Sequence, residues 1–531
     1  MDTNSGSVIA NISDQSANKY NPLVYGKNPT EGIVGLECKD GEAELFIQEE
    51  GGSVSSVIVP HKYWLLASEK LDKNFVRLEG DLNYKWGRQF SERSELLKWR
   101  SIYKTKDIYS VANAEEAMMI KDGYTFYKGL KLKDVSLLSF DIETTGLDGY
   151  AEDAKILLIS TTFRDVRNVL TNHLFSYDDY STEKELIDAF CNYVVELDPS
   201  LIIGHNILSY DFPYMAARAD INGTTLNLGR NGSAIRFNNY ESKFRLDGTR
   251  ELLYKNASIY GREIVDTYFL SVSFDVSKSI ETYALKPMIK QLGFEKEGRQ
   301  YYDAGSIRDN YKNPKEWELI KQYAIDDAED PVKLWDYMGP LYFNMAPMIP
   351  KPLSEILLSA SGSKLNALMV RAYLQDRHSI PKASEVEKFE GALSWAKSGV
   401  YSNCFKIDLA SLYPSIMLEY EVYDSDKDPK GYLLQLVKTF REKRLEYKKL
   451  AADTGDSYWK EMDTTAKGIL NSFYGFMGAP GLPFNSPECA AFITEKGREI
   501  LKFTYKWASG KNFEDEVKLE NAPEENELSS G

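Results

Sequence analysis

Residues 139–147 read SFDIETTGL, and the reading of this stretch decides the fold. With the residues before it, VSLLSFDIE (135–143) is an apolar run of the kind found in strands covered on both faces. Asp141 and Glu143 are two apart, so in a strand both side chains leave the same face of the sheet. Two acids on one buried face repel and are costly to desolvate unless a cation sits between them. Working outward, KILLISTTF (155–163) reads as a second buried strand, ELIDAFCNYVVEL (185–197) as a helix and SLIIGHN (200–206) as a further strand. Strands alternating with helices predict an α/β layer running to about Met338.

Two later stretches bring more acids to that layer. In HNILSYDFPYM (205–215), Asp211 follows a strand and turn ending in Tyr210. In EWELIKQYAIDDAEDPVKLW (316–335), Tyr323 and Asp327 stand at i and i+4 and share a helix face. Taken singly, each fragment is commonplace. Four convergent acids plus a tyrosine, however, suit two divalent ions, one activating a water and one stabilising the leaving oxygen of a phosphodiester. Oxygen-only ligation points to Mg²⁺ or Mn²⁺ rather than Zn²⁺. Asp326 is expected on another helix face, solvated, and His205 as a core or strand-end histidine.

In this order, DIETTGL, NILSYD and YAIDD resemble the three motifs of the DnaQ-like 3′→5′ exonucleases, in the form attached to family B DNA polymerases. The resemblance implies that Asp141, Glu143, Asp211 and Asp327 hold the metals and that Tyr323 orients the attacking water. It places Asn206 in the second motif.

A second carboxylate set opens at CFKIDLASLYPSIM (404–417). Asp408 is expected to close an apolar strand before the SLYPS turn, which suits a cation bridging to a triphosphate. Tyr413 is placed to form a floor under a sugar ring and exclude a 2′-hydroxyl. Lys467, Asn471 and Tyr474 fall at i, i+4 and i+7, one stripe of a helix, and Arg444 and Lys448 pair on the preceding helix. Basic stripes on two antiparallel helices facing one carboxylate make a triphosphate clamp. Arg441, Lys443 and Lys449 read as a solvated face.

Here too a resemblance is visible. AKGILNSFYG (466–475) resembles the KxxxNSxYG motif of family B polymerases, and DLASLYPSI resembles their DxxSLYPS motif. FITEKGREI (492–500), with Thr494, Gly497 and Arg498, matches the helix that follows, and FEGA (389–392) resembles the YxGG/A element that contacts template. The resemblance implies a metal ligand at Asp408 and a sugar gate at Tyr413. It implies nucleotide contacts at Arg444, Lys448, Lys467 and Asn471, with Tyr474 near the nascent pair. The family's Tyr-x-Asp-Thr-Asp hairpin, which carries the second metal ligand, has no counterpart after these motifs. DTGDS (453–457) precedes the fingers motif and cannot stand in. Two-metal transfer needs both carboxylates, so this chain alone is not expected to polymerise.

Composition sets the remaining bounds. A chain of 531 residues is too long for one core. The net charge of −16 argues against an unselective nucleic-acid binder, but eight bases in 438–467 and seven acids in 514–527 show that the local field matters more. The 35 tyrosines suit stacking surfaces. Four scattered cysteines without a CxxC pair point to a reduced compartment without structural zinc. The polar start and the lack of a long apolar run suggest a cytosolic protein, or a nuclear one in a eukaryote.

The expected architecture is α/β and α+β multidomain. Its parts are a flexible arm (1–30), a β-rich N-terminal domain (31–130), a ribonuclease H-like exonuclease domain (131–345) and a partial palm (346–425). A helical fingers hairpin (426–480), a palm helix (481–510) and an acidic disordered tail (511–531) follow. PMIPKP (347–352) reads as a linker, 354–374 as one helix, and the insertion 222–261 as a β-hairpin or extended loop. The leading functional reading is a family B DNA polymerase with 3′→5′ proofreading in DNA replication, as an N-terminal split or truncated part. The implied partners are primer–template and single-stranded DNA, dNTPs, a second polymerase chain with the missing motif and thumb, and a candidate sliding clamp. A stand-alone Mg²⁺-dependent 3′→5′ DNA exonuclease and a non-catalytic DNA- or nucleotide-binding remnant are the alternatives.

Overall fold

The computed structural model describes residues 19–246, 250–386, 389–396 and 398–520. They form two compact units. The first takes residues up to Leu78, 86–360 and 370–378, and the second takes 79–85, 361–369 and Ser379 onward.

In the first unit, Ile33–Cys38, Glu42–Gln48 and Val54–Pro60 form an antiparallel three-stranded meander. A four-stranded sheet follows, in the order Val76–Arg77, Trp86–Phe90, Tyr63–Ala67, Ile108–Tyr109. Its alternate residues Tyr63, Leu65 and Ala67 face one way and bury against Phe75, Phe90 and Trp99, as a period of two requires.

The sheet that carries the first acids has five strands: β1 (Leu137–Thr144), β2 (Ile156–Arg164), β3 (Leu170–Ser176), β4 (Leu201–Gly204) and β5 (Glu263–Asp266). Their spatial order is β3-β2-β1-β4-β5. β1, β2 and β3 are antiparallel neighbours, whereas β4 runs parallel to β1 and β5 parallel to β4. β1 is central; Leu138, Phe140 and Ile142 are buried on one face and alternate with Ser139, Asp141 and Glu143 on the other.

Helix α1 (Glu183–Leu197) starts where Thr182 accepts the Glu185 N–H and stops at left-handed Asp198. Helix α2 (Asp211–Ile221) begins at Asp211 itself. Helices α3 (Thr267–Phe274), α4 (Leu285–Gln291) and α5 (Pro314–Phe343) follow. Asn313 caps α5 and Pro314 opens it, where a missing N–H costs nothing. Phe140 packs against Phe190 of α1 and Phe212 of α2, with ring centroids 5.6 and 5.1 Å away. The 222–261 insertion contains the hairpin Ser242–Arg245/Glu251–Tyr254 and a short ladder, Arg236–Phe237 with Ala257–Ser258. Part of its LDG turn lies outside the described residues.

The second unit is helical from α6 (Leu412–Glu419) through α7 (Tyr432–Thr454), α8 (Ser457–Met477) and α9 (Pro487–Ser509). Gly455 in the left-handed region and Asp456, which caps Tyr458, turn α7 into α8. Leu433, Leu436, Val437 and Phe440 of α7, and Ala466, Ile469, Leu470 and Phe473 of α8, are buried at helical spacing.

Several expectations are corrected. Residues 354–374 are two helices, Leu353–Leu358 and Ser361–Gln375, because Ser359 takes an extended conformation. PMIPKP is no loose linker: Met348 and Ile349 are buried and Lys351 pairs with Glu116 at 2.6 Å. The arm lies outside the described residues to position 18; after that, Asn21 caps the short helix Pro22–Tyr25 and Lys27 pairs with Asp376 at 2.6 Å. Within the acidic tail, Phe513–Glu520 is helical and Phe513 sits 5.6 Å from the Trp395 ring; 521–531 lie outside the described residues. Asp408 ends no strand. Its segment joins no strand ladder and is exposed, with Phe405 94% exposed, because a strand exists only when another strand completes its hydrogen bonds.

Candidate functional site

β1 and α5 are packed so that Asp141, Glu143 and Asp327 each offer a carboxylate oxygen within 4.8 Å of one another. Asp211 stands beside this group rather than within it. Its carboxylate accepts the Ile142 N–H at 3.2 Å, a bond that ties the start of α2 to β1. The turn before it depends on close approach. A Cβ on Gly204 would lie 2.8 Å from the Phe140 carbonyl oxygen, and Asn206 is left-handed at φ 69°. Buried Asp266, at the end of β5, holds that turn by accepting the N–H groups of Asn206 (2.8 Å) and Leu208 (3.0 Å), and it caps α3. His205 is a strand-end residue with both ring nitrogens engaged, by Thr267 Oγ1 at 3.0 Å and the Tyr283 carbonyl at 2.8 Å.

The electrostatics of the cluster are those of acids that cannot all ionise together. Burial, then the charges of Asp211, Glu143 and Asp327, hold the Asp141 carboxyl well above the usual carboxylate range. Glu143 is pushed up to about 8 by burial first and then by Asp327, with Lys286 opposing. Asp211 rises to about 7, chiefly through burial. The donor set is all oxygen and over-supplied with negative charge, which fits a hard divalent cation. Asp141, Glu143 and Asp327 can hold it, with Asp211 adjacent.

Two residues in this region, Lys286 and Arg299, had no signal of their own in the sequence. Lys286, on α4, places its ammonium 3.3 Å from Asp327 Oδ2 and donates to the Tyr323 hydroxyl. Arg299 meets Asp327 Oδ1 at 2.6 Å and also pairs with Asp330. Tyr323 is buried, and burial followed by the charges of Glu143, Asp327 and Asp141 drives its hydroxyl pKa up. Asp326 corrects the expectation of a solvated acid. It is buried, 3.0 Å from Lys296, and accepts the Gln300 N–H, because the 294–300 segment covers that side of α5. Four acids in five residues of one helix, Asp326, Asp327, Glu329 and Asp330, were the available hint that counter-cations must lie nearby.

In the second unit, Tyr413 lies between Tyr474, with ring centroids 4.6 Å apart, and Gly497, whose notional Cβ would sit 3.0 Å from the Tyr413 ring. Lys448, Lys467 and Asn471 are exposed on α7 and α8. Arg444 is engaged: its Nε meets Asp463 of α8 at 2.9 Å, and its Nη1 donates to Ser411 at 2.7 Å. Ser411 is left-handed, at φ 51°, as it enters α6. Thr494 and Arg498 bind the Glu390 carbonyl, each at 3.0 Å, so FEGA is fastened to α9.

Comparison with known proteins agrees with both halves. Residues 119–286 match the family model described as DNA polymerase family B, exonuclease domain, and residues 420–530 match that of DNA polymerase family B. A DNA polymerase of Pyrococcus glycovorans is 26% identical over 412 residues, covering 70% of this chain and 51% of that protein. DNA polymerase 2 of Aeropyrum pernix is 25% identical over 436 residues, covering 74% and 51%. The solved family B DNA polymerase of Pyrobaculum calidifontis superposes with a TM-score of 0.72 at 19% identity, over 89% of this chain and 71% of that one. The chain spans about half the length of the curated relatives it matches. With both family models matched in order and the same architecture in a solved member, this chain belongs to the family B DNA polymerases.

Proposed function

We propose that the first unit is a 3′→5′ proofreading exonuclease acting on the 3′ end of single-stranded DNA. The observation that carries this is the convergence of Asp141, Glu143 and Asp327 within 4.8 Å. Asp141, Glu143, Asp211 and Asp327 would hold Mg²⁺ or Mn²⁺, two ions per site. When bound, the ions supply the positive charge that lowers the cost of attack on a phosphodiester. Tyr323 keeps its proton far above neutral pH, so its hydroxyl can orient a water without ionising. Lys286 holds that hydroxyl and adds positive charge toward the phosphate. With 5′-labelled single-stranded DNA, the expected result is Mg²⁺-dependent stepwise shortening that Asp141→Ala abolishes. Intact DNA after incubation with folded wild-type protein rejects the proposal.

For the whole protein we propose a DNA-directed DNA polymerase acting in replication. Asp408 would hold metal, and Tyr413 would gate the sugar. Arg444, Lys448, Lys467, Asn471 and Tyr474 would contact the incoming nucleotide and the nascent pair. Transfer would also need the family's other palm carboxylate and its thumb. The retained clamp residues, all in one unit, support this reading. Primer extension by this chain together with a segment bearing that carboxylate and thumb is the test, and a folded assembly that never extends a primer refutes it. A stand-alone exonuclease is the second reading. It is favoured by the contrast between the assembled nuclease cluster and the exposed segment at Asp408.

A further inference from the structure

We infer that Arg299 is a positioning residue of the nuclease site, and that a buried Asp327–Arg299–Asp330 bridge sets the orientation in which Asp327 faces a metal. The inference rests on the nuclease reading above. Asp327 and Asp330 are three apart on α5, so their carboxylates are neighbours that repel. The Arg299 side chain is only 1% exposed and answers both, giving Nη2 to Asp327 Oδ1 at 2.6 Å and Nη1 to Asp330 Oδ2. Asp330 is itself anchored by Lys333 at 2.8 Å through its other oxygen. A planar guanidinium can span two carboxylates with separate nitrogens, whereas an ammonium is one point of charge.

Arg299 approaches Asp327 from outside the cluster. The cation bearing on Asp141 and Glu143 is Lys286, which takes Asp327 Oδ2, while the acids bearing on Arg299 are Asp330, Asp327 and Asp326. The bridge therefore holds Asp327 Oδ1 while Lys286 meets Oδ2, and in that orientation Asp327 offers an oxygen within 4.8 Å of those of Asp141 and Glu143. A supporting partner of this kind raises metal affinity, whereas a cation competing for the metal's place lowers it. The two roles are separated by sign.

The experiment is Mn²⁺ titration of the full chain by electron paramagnetic resonance, with a melting curve for each variant. Wild type is expected to bind Mn²⁺, and Arg299→Gln to bind about 10- to 100-fold more weakly. Asp330→Asn leaves all three clustered carboxylates in place and is expected to weaken binding in the same direction, whether or not Arg299→Gln folds. Arg299→Lys is expected to recover only part of the affinity. A folded Arg299→Gln or Asp330→Asn protein with wild-type affinity overturns the inference, and tighter binding does so in favour of competition. Wild-type protein that binds no Mn²⁺ overturns the nuclease reading and this inference with it. Wild-type binding with unaffected variants overturns only the role of Arg299.

Discussion

The Lys286 ammonium lies 3.3 Å from Asp327 Oδ2 and hydrogen-bonds the Tyr323 hydroxyl, so one lysine from outside the three acidic motifs joins the tyrosine to a carboxylate. Removing it leaves the acids with less compensation. Lys286→Met is expected to lower metal-free stability by about 1–3 kcal/mol, the cost of a buried charged group losing its partner, and to slow DNA shortening. Urea unfolding with and without Mn²⁺ checks this. The stability loss should shrink when the ion is present.

Asp141 is costly in the absence of metal, because burial and three neighbouring carboxylates oppose its ionisation. Asp141→Asn should therefore raise the metal-free melting temperature while abolishing nuclease activity. Differential scanning calorimetry in EDTA, beside the DNA assay, reads both. A lower melting temperature contradicts the electrostatic account.

His205 ties stability to pH. Burial lowers its pKa from an ordinary 6.5 to about 4. Between those values the unfolded chain takes up a proton that the folded chain refuses. Stability is thus full above about 6.5, falls as the pH drops toward 4, and loses nothing more to this group below that. The total is on the order of 3 kcal/mol. Unfolding free energies of wild type and His205→Asn across pH 4–7 should diverge with that sign, the variant showing the shallower dependence.

Gly497 faces the Tyr413 ring closely, since a Cβ would stand 3.0 Å from Cε1. Gly497→Ala should displace the ring by a few tenths of an ångström and weaken discrimination between deoxy- and ribonucleotides. Competitive binding of dATP and ATP to the chain measures this, and an unchanged ratio contradicts the sugar-gate assignment.

Asp463 neutralises Arg444 at 2.9 Å across α7 and α8. Asp463→Asn should free the guanidinium and raise triphosphate affinity by a few-fold, as expected of a partly exposed pair worth about 1 kcal/mol. Fluorescence titration with a labelled dNTP is the check, with Arg444→Ala as the reverse control.

The local elements were legible because they follow from short-range rules. Around Phe140, Leu138, Phe140 and Ile142 alternate with Ser139, Asp141 and Glu143, so a strand with its acids on one face could be read from the period of two. The i, i+4 spacing placed Tyr323 and Asp327 together, and the stripes of α7 and α8 followed from the same period. What misled was local as well. Asp408 sits in a run with strand character, yet strand formation depends on a partner elsewhere. Asp326 has a neighbour on a different helix face, but the segment bearing Lys296 and Gln300 folds over it.

The sequence by itself determined the order of motifs, whose resemblance implied the family, and the faces on which Asp141, Glu143 and Asp327 would project, which depend only on backbone periodicity. Only the tertiary structure decided that Lys286 and Arg299 compensate those acids, that Asp266 braces the turn before Asp211, and that Asp463 occupies Arg444. Such pairings join residues from 19 to about 60 positions apart. No period of a helix or strand reaches that far, so they are set by packing and by the demand that every buried charge find a partner.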